Sequence, residues 1–487
     1  MNHVFLKKTL GSKEIAENVA HRAQMVVPAY QHSIQKQGFK AGEPFEGLPL
    51  SDKESYVLAY PFPELLADNY EESFAIVRSS GSSGNPFYWL TLKSSNQSST
   101  AVLKTFLEST FAVHQKKTLA IVGYSLGSWV GGDSWSWVLK SMAIDTPYPF
   151  WVFSPGNHLD EIIKIVCQMN ALVDQIILFI VPSAIAHFHL KASQLNQSLP
   201  LDKLRYIVGA EPFPESLRIS LQKRAAVDDS TSFMFSLYGS ADTDTLGVEF
   251  PTSVALRKLL YRNHVLAHSL GIESPIPHFF HFIATNTFLE TVKGCLCVTR
   301  WQGIPLVRYI VYDQVALYSW KELKQAILSS EYLNSDDAVL IKIISNSSDQ
   351  LPDLLAVTGR ADNCLILKGT TFTEYMLDEA VKCEELHEIL TGLYRARIVY
   401  EEDKQYLALD LEIRQSISSD QQTIDRVYHS LIKTIGRVQP EFFDDWQNFY
   451  REWDSNPAKR VLKLNFLPWP SLSQTTETTI KQRGIVK

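Results

Sequence analysis

Arg78-Ser-Ser-Gly-Ser-Ser-Gly-Asn-Pro86 is the stretch that decides how the rest of this chain is interpreted. It follows the apolar run Phe74–Val77, holds six small residues in a row and closes on a proline. A strand that leads into a glycine–serine loop supplies flexible backbone N–H groups and hydroxyls, which suit an anion cradle. It is not a Walker loop, because no Gly-Lys-Ser/Thr follows at the required spacing. A plain flexible loop remains the alternative.

The composition is that of a globular protein with more than one core. The 487 residues favour one large domain and a smaller one. A net charge of −7 argues against nucleic acid or an anionic membrane as the partner. The five cysteines show no zinc or disulfide spacing, and the N-terminus lacks an apolar signal core, so we expect a cytoplasmic protein. The most apolar run, 176–186, is too short for a membrane helix.

Strand and helix patterns alternate in the first half of the chain. A helix is predicted at Leu159–Leu172, and strands are predicted at Lys117–Val122, Pro149–Phe153, Gln175–Val181 and Leu204–Val208. This alternation implies parallel βαβ units with helices on the faces of the sheet. Ligands of such sheets bind beyond the carboxyl ends of the strands. We therefore expect the site in the loops after Val208 and Leu237.

Small and aromatic residues follow the strand that ends at Val122. Gly123-Tyr-Ser-Leu-Gly-Ser-Trp-Val-Gly-Gly132 lets a backbone or a ligand approach closely. The stretch contains Tyr124 and Trp129, and Trp135 and Trp137 follow it. These four aromatic side chains either line a cavity or pack in the core. The pattern Gly123-Tyr-Ser-Leu-Gly127 also matches the G-x-S-x-G elbow of serine hydrolases, although small residues follow where the helix of a hydrolase should start.

Later segments, taken in order with the glycine–serine loop, resemble the adenylate-forming enzymes, and among them the phenylacetate–CoA ligase branch. The marks run from about residue 70 to the C-terminus and are Ser79–Pro86, Gly209-Ala-Glu-Pro212, Tyr238-Gly-Ser-Ala-Asp242, Arg308 with Asp313, Gly359-Arg-Ala-Asp362 and Lys368-Gly369. The resemblance implies an α/β fold. A large N-terminal domain with parallel or mixed sheets and helices, 1–358, opens on a helical preface, 1–70. A small mobile α+β domain, 359–487, follows, with Asp362 as the hinge.

The activity implied by the resemblance is attack of a carboxylate on the α-phosphate of ATP, followed by thiol attack on the acyl-adenylate. ATP, Mg²⁺ and CoA are the expected cofactors, and an aromatic or otherwise apolar acid is the expected substrate. Transfer to a carrier protein, a protein cysteine or an amine is one alternative. A second alternative is a degenerate protein that binds nucleotide or a partner without turnover. The sequence does not decide whether the chain forms a homodimer.

The resemblance also assigns roles to residues. The residues that it implies bind the nucleotide or its phosphates are Ser79, Ser80, Gly81, Ser82, Ser83, Gly84, Gly209, Ala210, Glu211, Pro212, Tyr238, Gly239, Ser240, Asp313 and Arg360. Asp313 would bind both ribose hydroxyls, and Tyr238 would stack on adenine. Lys481 would reach the α-phosphate, and Asp242 would bind Mg²⁺. The acyl pocket is expected from position instead: the stretch after the strand that ends at Val122 should contribute Tyr124, Trp129, Gly131 and Gly132.

Two departures from the family pattern put phosphate and metal binding in question. Asn85 stands where the family usually has lysine, so the loop lacks a positive charge. Asp242 stands where the family has glutamate, so its side chain is one methylene shorter.

Other charged or titratable residues have structural explanations. Arg308 is as well explained by a buried ion pair as by ligand contact. The histidines at 187, 189, 264, 268, 278 and 281 form no metal-binding pattern, and we interpret them as core or surface residues.

Overall fold

The computed structural model describes residues 5–79, 87–213, 215–227, 231–272, 276–360, 364–386, 388–401, 404–415, 417–472 and 485. Several predicted functional residues lie outside the described residues, namely Ser80, Gly81, Ser82, Ser83, Gly84, Asn85, Asp362 and Lys481.

Residues 5–72 begin with two short strands, and helices follow. The regular elements here are β1 (Leu6–Lys7), β2 (Thr9–Leu10), α1 (Lys13–Val26) and α2 (Pro28–Lys36). Short helical turns follow at Phe45–Gly47, Lys53–Val57, Phe62–Leu65 and Tyr70–Glu72. Strand β2 pairs with a much later strand, so the preface is built into the main sheet.

The predicted strand–helix alternation follows. Its elements are β3 (Ser73–Arg78), β4 (Tyr88–Leu92), α3 (Lys93–Phe111), β5 (Thr118–Val122), α4 (Val130–Asp145), β6 (Phe150–Phe153), α5 (Leu159–Met169), β7 (Gln175–Ile180), α6 (Pro182–Gln194), β8 (Leu204–Val208), α7 (Glu215–Arg224) and β9 (Met234–Ser240). Strands β6, β5, β7, β8 and β9 lie side by side and run parallel. The carboxyl ends of these strands therefore share one edge.

The next part of the chain turns antiparallel. Its elements are β10 (Asp244–Val248), α8 (Pro251–Arg262), α9 (His264–Ser269), β11 (His278–Phe282), β12 (Thr287–Val292), β13 (Cys295–Arg300), β14 (Leu306–Tyr318), α10 (Trp320–Leu328), α11 (Ala338–Asn346) and β15 (Leu354–Arg360). Together with the parallel strands they make a sheet of thirteen strands within the described residues, in the order β2-β12-β13-β14-β15-β11-β10-β9-β8-β7-β5-β6, with β1 against β14.

The antiparallel half of this sheet is curled. Three strands separate β9 from β14 in the strand order, and neighbouring strands lie roughly 4.8 Å apart. A tyrosine side chain cannot bridge that span in a flat sheet, yet the Tyr238 hydroxyl lies 2.5 Å from the Asp313 carboxylate. Arg300 of β13 likewise reaches Asp244 at the start of β10. The curl encloses apolar side chains that include Leu246, Leu289 and Val298.

The C-terminal part has sheets of its own. Its elements are β16 (Cys364–Leu367), β17 (Thr370–Thr373), α12 (Glu374–Val381), β18 (Leu390–Glu401), β19 (Lys404–Ile413), α13 (Gln421–Val438), α14 (Pro440–Asp445) and β20 (Leu462–Leu467). Strands β18, β19 and β20 form one sheet, and β16 and β17 form a hairpin. Their apolar side chains join the core around α5, α6 and β7.

One predicted helix is wrong in the C-terminal part. The sequence pattern suggested a helix over Leu377–Tyr394, but α12 ends at Val381 and β18 begins at Leu390. Gly392 adopts a φ of 86°, which a helix does not accommodate. The chain therefore reverses into the sheet where the apolar pattern alone suggested continuation.

Candidate active site

Two residues that we predicted to bind the nucleotide, Tyr238 and Arg360, contact the carboxylate of a third, Asp313. The Tyr238 hydroxyl donates a hydrogen bond of 2.5 Å to Asp313 Oδ2, and Arg360 Nη1 lies 3.3 Å from Asp313 Oδ1. Asp313 and Arg360 are paired residues on β14 and β15, so the sheet register sets their contact. Burial raises the pKa of Tyr238 well above its usual range, and the Asp313 charge adds to the rise. The phenol therefore stays a donor to the carboxylate.

The turn after Tyr238 leaves room for glycine only. A Cβ on Gly239 would lie 2.1 Å from the carbonyl oxygen of Asp244, so β9 and β10 can approach here only without a side chain. The Ser240 hydroxyl accepts a 3.3 Å bond from the backbone of Thr243. These contacts fix the turn that leads to Asp242.

Asp242 is held by a buried tyrosine. The Tyr309 hydroxyl donates a 2.6 Å hydrogen bond to Asp242 Oδ2, and the side-chain amide of Gln302 donates to the backbone oxygen of Asp242. Within the described ranges, no group of three or more His, Cys, Asp or Glu side chains could hold a metal ion.

The loop Gly209–Pro212, called here the adenine loop because we predicted that its backbone lies beside adenine, is close to the C-terminal part. Ala210 has a φ of 70°, and a Cβ on Gly369 would lie 3.4 Å from the Ala210 Cβ. Glu211 is buried, while Pro212 is exposed. Burial lowers the pKa of Lys368 well below its usual range, against the opposing effect of Glu211. The loop and the turn at Lys368 thus lie close together in a buried region.

A buried ionic network supports this loop from behind. Arg218 Nη2 lies 2.8 Å from both carboxylate oxygens of Glu249, and both side chains are fully buried. Arg257 donates to the backbone oxygen of Phe213 and contacts Glu215. Because Phe213 directly follows the adenine loop, the network fixes the end of that loop that leads into α7.

The predicted acyl-pocket residues take different positions. Tyr124 and Trp129 are buried, and a Cβ on Gly132 would lie 2.1 Å from the Ser125 carbonyl oxygen. Around Gly131, by contrast, no other described atom lies within 4 Å of the position that a Cβ would occupy. Trp137 is 49% exposed and packs against Phe74, so it lies at the surface.

The Tyr124 hydroxyl is buried and has no hydrogen-bond partner in the described part of the chain. It lies 3.5 Å from the position that a Cβ on Gly209 would occupy. Burial raises the pKa of Tyr124, and the Glu211 charge adds to the effect, so the phenol stays protonated. A buried donor with unused capacity sits between the predicted acyl pocket and the adenine loop.

Other predicted features are structural. The Arg308 guanidinium binds Glu290 and the backbone oxygens of Glu46 and Leu48, which fastens the preface to β14. His281 is fully buried between Thr252 and Pro352, and burial lowers its pKa to about 4. These are contacts of a folded core, as we expected for the histidines.

Sequence reasoning missed one cation near the glycine–serine loop. Lys53 Nζ lies 3.5 Å from the Ser79 hydroxyl. The two residues are 26 positions apart, and Lys53 belongs to a polar stretch without a motif. Only the docking of the preface onto β14 brings them together.

Comparison with solved structures supports the architecture. A 2-hydroxyisobutyryl-CoA ligase in complex with 2-HIB-AMP and CoA, in the thioesterification state, matches 100% of this chain and 94% of its own at 13% identity, with a TM-score of 0.58. The chain has the adenylate-forming ligase fold. An open conformation of the same ligase matches 100% of this chain and 97% of its own, at 13% identity and with a TM-score of 0.48. The amide bond synthetase McbA from Marinactinospora thermotolerans matches 88% of this chain and 70% of its own, at 12% identity and with a TM-score of 0.42.

The fold assignment rests on the first of these similarities. Searches against protein-family models and against curated proteins gave no match. Among the described residues of this adenylate-forming fold, no helix is long and apolar enough to cross a bilayer.

Proposed function

We propose that this chain activates a carboxylic acid with ATP and transfers the acyl group to the thiol of CoA. In the first step a carboxylate oxygen attacks the α-phosphorus, the bond to pyrophosphate breaks, and an acyl-adenylate forms. In the second step the thiol loses its proton and its sulfur attacks the acyl carbon, which releases AMP. Both reactants of the first step are anionic, so the site must supply hydrogen-bond donors and cations.

The observation that best supports this proposal is the convergence of Tyr238, Asp313 and Arg360. An ionised carboxylate only accepts hydrogen bonds, and ribose offers two hydroxyl donors. One face of the Tyr238 ring packs on Phe280, with ring centroids 5.3 Å apart, and the other face is the one that we propose for adenine. Arg360 adds a positive charge beside the same carboxylate. Carboxylate, aromatic face and cation together suit a nucleoside phosphate.

Magnesium would be bound by Asp242 and the ATP phosphates. Tyr309 orients the Asp242 carboxylate through Oδ2, which leaves Oδ1 as the oxygen to face the metal. The ion would neutralise phosphate charge during adenylation. We assign Lys481 to the α-phosphate and Asp362 to a hinge between domains 1–358 and 359–487, as the family resemblance implies.

CoA is the acceptor that we favour, because the matched 2-hydroxyisobutyryl-CoA ligase complex contains CoA beside its acyl-adenylate. Pyrophosphate release, measured over a panel of acids with and without CoA, tests the proposal. Release followed by CoA thioester formation supports it. Release without thioester formation would point to a carrier protein, a protein thiol or an amine. Absence of release with every acid would leave a nucleotide- or partner-binding protein as the better account.

An apolar acid should be preferred over acetate. Tyr124 and Trp129 are both buried, and the Tyr124 hydroxyl lies close to Gly209 of the adenine loop. Each buried CH₂ contributes roughly 0.8 kcal/mol. Phenylacetate or octanoate should therefore give a higher kcat/KM for pyrophosphate release than acetate, by about two orders of magnitude. Equal values for acetate and octanoate would contradict an apolar pocket.

Tyr124→Phe should raise the KM for the acid about tenfold and change the KM for ATP little. The phenol has no hydrogen-bond partner among the described residues, so its removal orphans no neighbouring group there, and we assign its donor to the acid carboxylate. Steady-state kinetics with each substrate varied in turn measures both constants. Trp137→Phe, at the surface, is the matched control. A KM for the acid that stays at the wild-type value would show that Tyr124 is only a packing residue.

A further inference from the structure

Phe213, the residue that follows the adenine loop, is held at its carbonyl oxygen by two buried side chains. Arg257 Nη2 donates to Phe213 O at 2.8 Å, and His278 Nε2 lies 2.8 Å from the same oxygen. A carbonyl oxygen can only accept hydrogen bonds, so the imidazole proton is on Nε2. Phe213 N lies 3.4 Å from this protonated nitrogen and adds no hydrogen bond. Two donors on distant segments thus fix the end of the loop.

The His278 imidazole is neutral. Burial lowers the pKa of His278 well below its usual range, and the charges of Arg257 and Arg218 add to the effect. A neutral imidazole has one N–H, and the Phe213 carbonyl oxygen accepts it. The Phe213 ring also meets the imidazole edge to face, with ring centroids 4.8 Å apart. His278 therefore contacts both the backbone and the ring of the residue that ends the loop.

The same imidazole is connected to Tyr238 through one more ring. His278 and Phe280 are two positions apart on β11, so their side chains lie on one face of the strand. Their rings stack with centroids 5.9 Å apart and planes 11° from parallel. Phe280 packs in turn on Tyr238, with centroids 5.3 Å apart. His278, Phe280 and Tyr238 thus form a continuous row of rings, called here the ring row.

A glycine makes room for the ring row. Strand β10 lies between β9 and β11, and its residue Gly247 is paired with Tyr238 of β9. A Cβ on Gly247 would lie 2.8 Å from the Phe280 Cβ, which is closer than two such atoms can approach. Phe280 therefore reaches Tyr238 across β10 only because position 247 has no side chain.

The adenine loop is fixed relative to Tyr238 at both of its ends. It starts where β8 ends, and β8 pairs with β9, the strand that carries Tyr238. The sheet therefore sets where the loop starts. The other end is set by His278, through the hydrogen bond to Phe213 and through the ring row.

We propose that His278 is a positioning residue that sets the separation between the adenine loop and the Tyr238 ring, and thereby the selectivity of the site for adenine over guanine. The inference rests on the proposed function, since it takes the loop and Tyr238 as the two walls of a nucleobase site. Hydrogen bonds to the edge of a base discriminate only when the protein groups are held within about 0.5 Å of their places. His278 acts through Phe213 and Phe280.

Calorimetric titration of the full chain with AMP, GMP and inorganic pyrophosphate tests this role. His278→Phe keeps an aromatic ring in the ring row but removes the donor to Phe213 O. It should weaken AMP binding about tenfold and lower the ratio of AMP to GMP affinity by a similar factor. Pyrophosphate binding should stay within about twofold of the wild type, because the ring row does not support the phosphates.

Two further variants separate the donor from the fold. His278→Gln places an amide N–H where the imidazole N–H was and should recover most of the AMP affinity. His281→Gln is the matched control, since His281 is a buried histidine on the opposite face of β11 that contacts Thr252 and Pro352. It should keep the AMP-to-GMP ratio of the wild type.

Each outcome decides between the two proposals. Wild-type AMP affinity and an unchanged AMP-to-GMP ratio in folded His278→Phe would overturn the role of His278 and leave the proposed function standing. Equal losses for AMP, GMP and pyrophosphate would overturn that role as well, because they would indicate a general effect on the fold. If thermal unfolding shows that His278→Phe is not folded, Phe280→Leu interrupts the ring row at its next member, and an unchanged ratio there overturns the role. A wild-type protein that binds neither AMP nor ATP would overturn both proposals.

Discussion

Asp313→Ala is expected to lower the affinity for ATP by about two orders of magnitude or more while the protein stays folded. The carboxylate offers two oxygens to ribose and already accepts the Tyr238 hydroxyl and the Arg360 charge. Its loss removes charge-assisted hydrogen bonds and leaves two positioned donors without their acceptor. Isothermal titration with ATP measures the effect, and thermal unfolding verifies the fold.

Two further variants sharpen this experiment. Tyr238→Phe removes only the phenol oxygen and should cost less affinity than Asp313→Ala. Asp336→Ala removes an exposed carboxylate outside the candidate site and should not change ATP binding. ATP affinity in Asp313→Ala equal to that of the wild type would remove Asp313 from the nucleotide site.

Glu249→Ala is expected to destabilise the protein by about 3–5 kcal/mol, the usual cost of removing one partner from a buried ion pair. Both Glu249 and Arg218 are fully buried, and the carboxylate also accepts the backbone N–H of Ser236. The substitution leaves the Arg218 charge without this partner in a place that water does not reach. Chemical denaturation followed by circular dichroism measures the shift of the unfolding midpoint.

Glu385→Ala provides the comparison for Glu249→Ala. Glu385 forms an exposed ion pair with Lys433, and exposed pairs contribute little to stability. Its unfolding midpoint should stay close to that of the wild type. A midpoint for Glu249→Ala as high as that of Glu385→Ala would show that the network behind the adenine loop does not hold the fold together.

Apolar periodicity predicted the parallel half of the sheet well. Strand β8 has the predicted bounds, and β5, β6 and β7 differ by single residues at one end, because continuous apolar runs bounded by turns are typical of buried parallel strands. The two-residue strands β1 and β2 went unpredicted, since so short a strand leaves no pattern. Helix α3 begins at Lys93, and its first turns are polar, so no apolar periodicity marks its start.

Motifs in the sequence grouped three residues that the structure places in contact, while their binding roles stay a prediction. Tyr238, Asp313 and Arg360 follow strand patterns, and the curl of the sheet brings them together as the order of segments suggested. The contacts of Lys53 and of Lys368 could not be predicted. Each depends on how a distant segment docks, which no local pattern in the sequence encodes.

The short strand β2 also bears on aggregation. It covers part of β12, with Leu10 opposite Leu289 and Thr9 opposite Glu290, at the end of the large sheet. Gly11 then turns the chain with a φ of 85°, where a Cβ would lie 2.3 Å from the carbonyl oxygen of Thr287. An uncovered edge strand offers unpaired N–H and C=O groups to other chains. The two residues of β2 thus cover part of β12, and the terminal strand at this end of the sheet is only two residues long, which leaves a short template for edge-to-edge pairing.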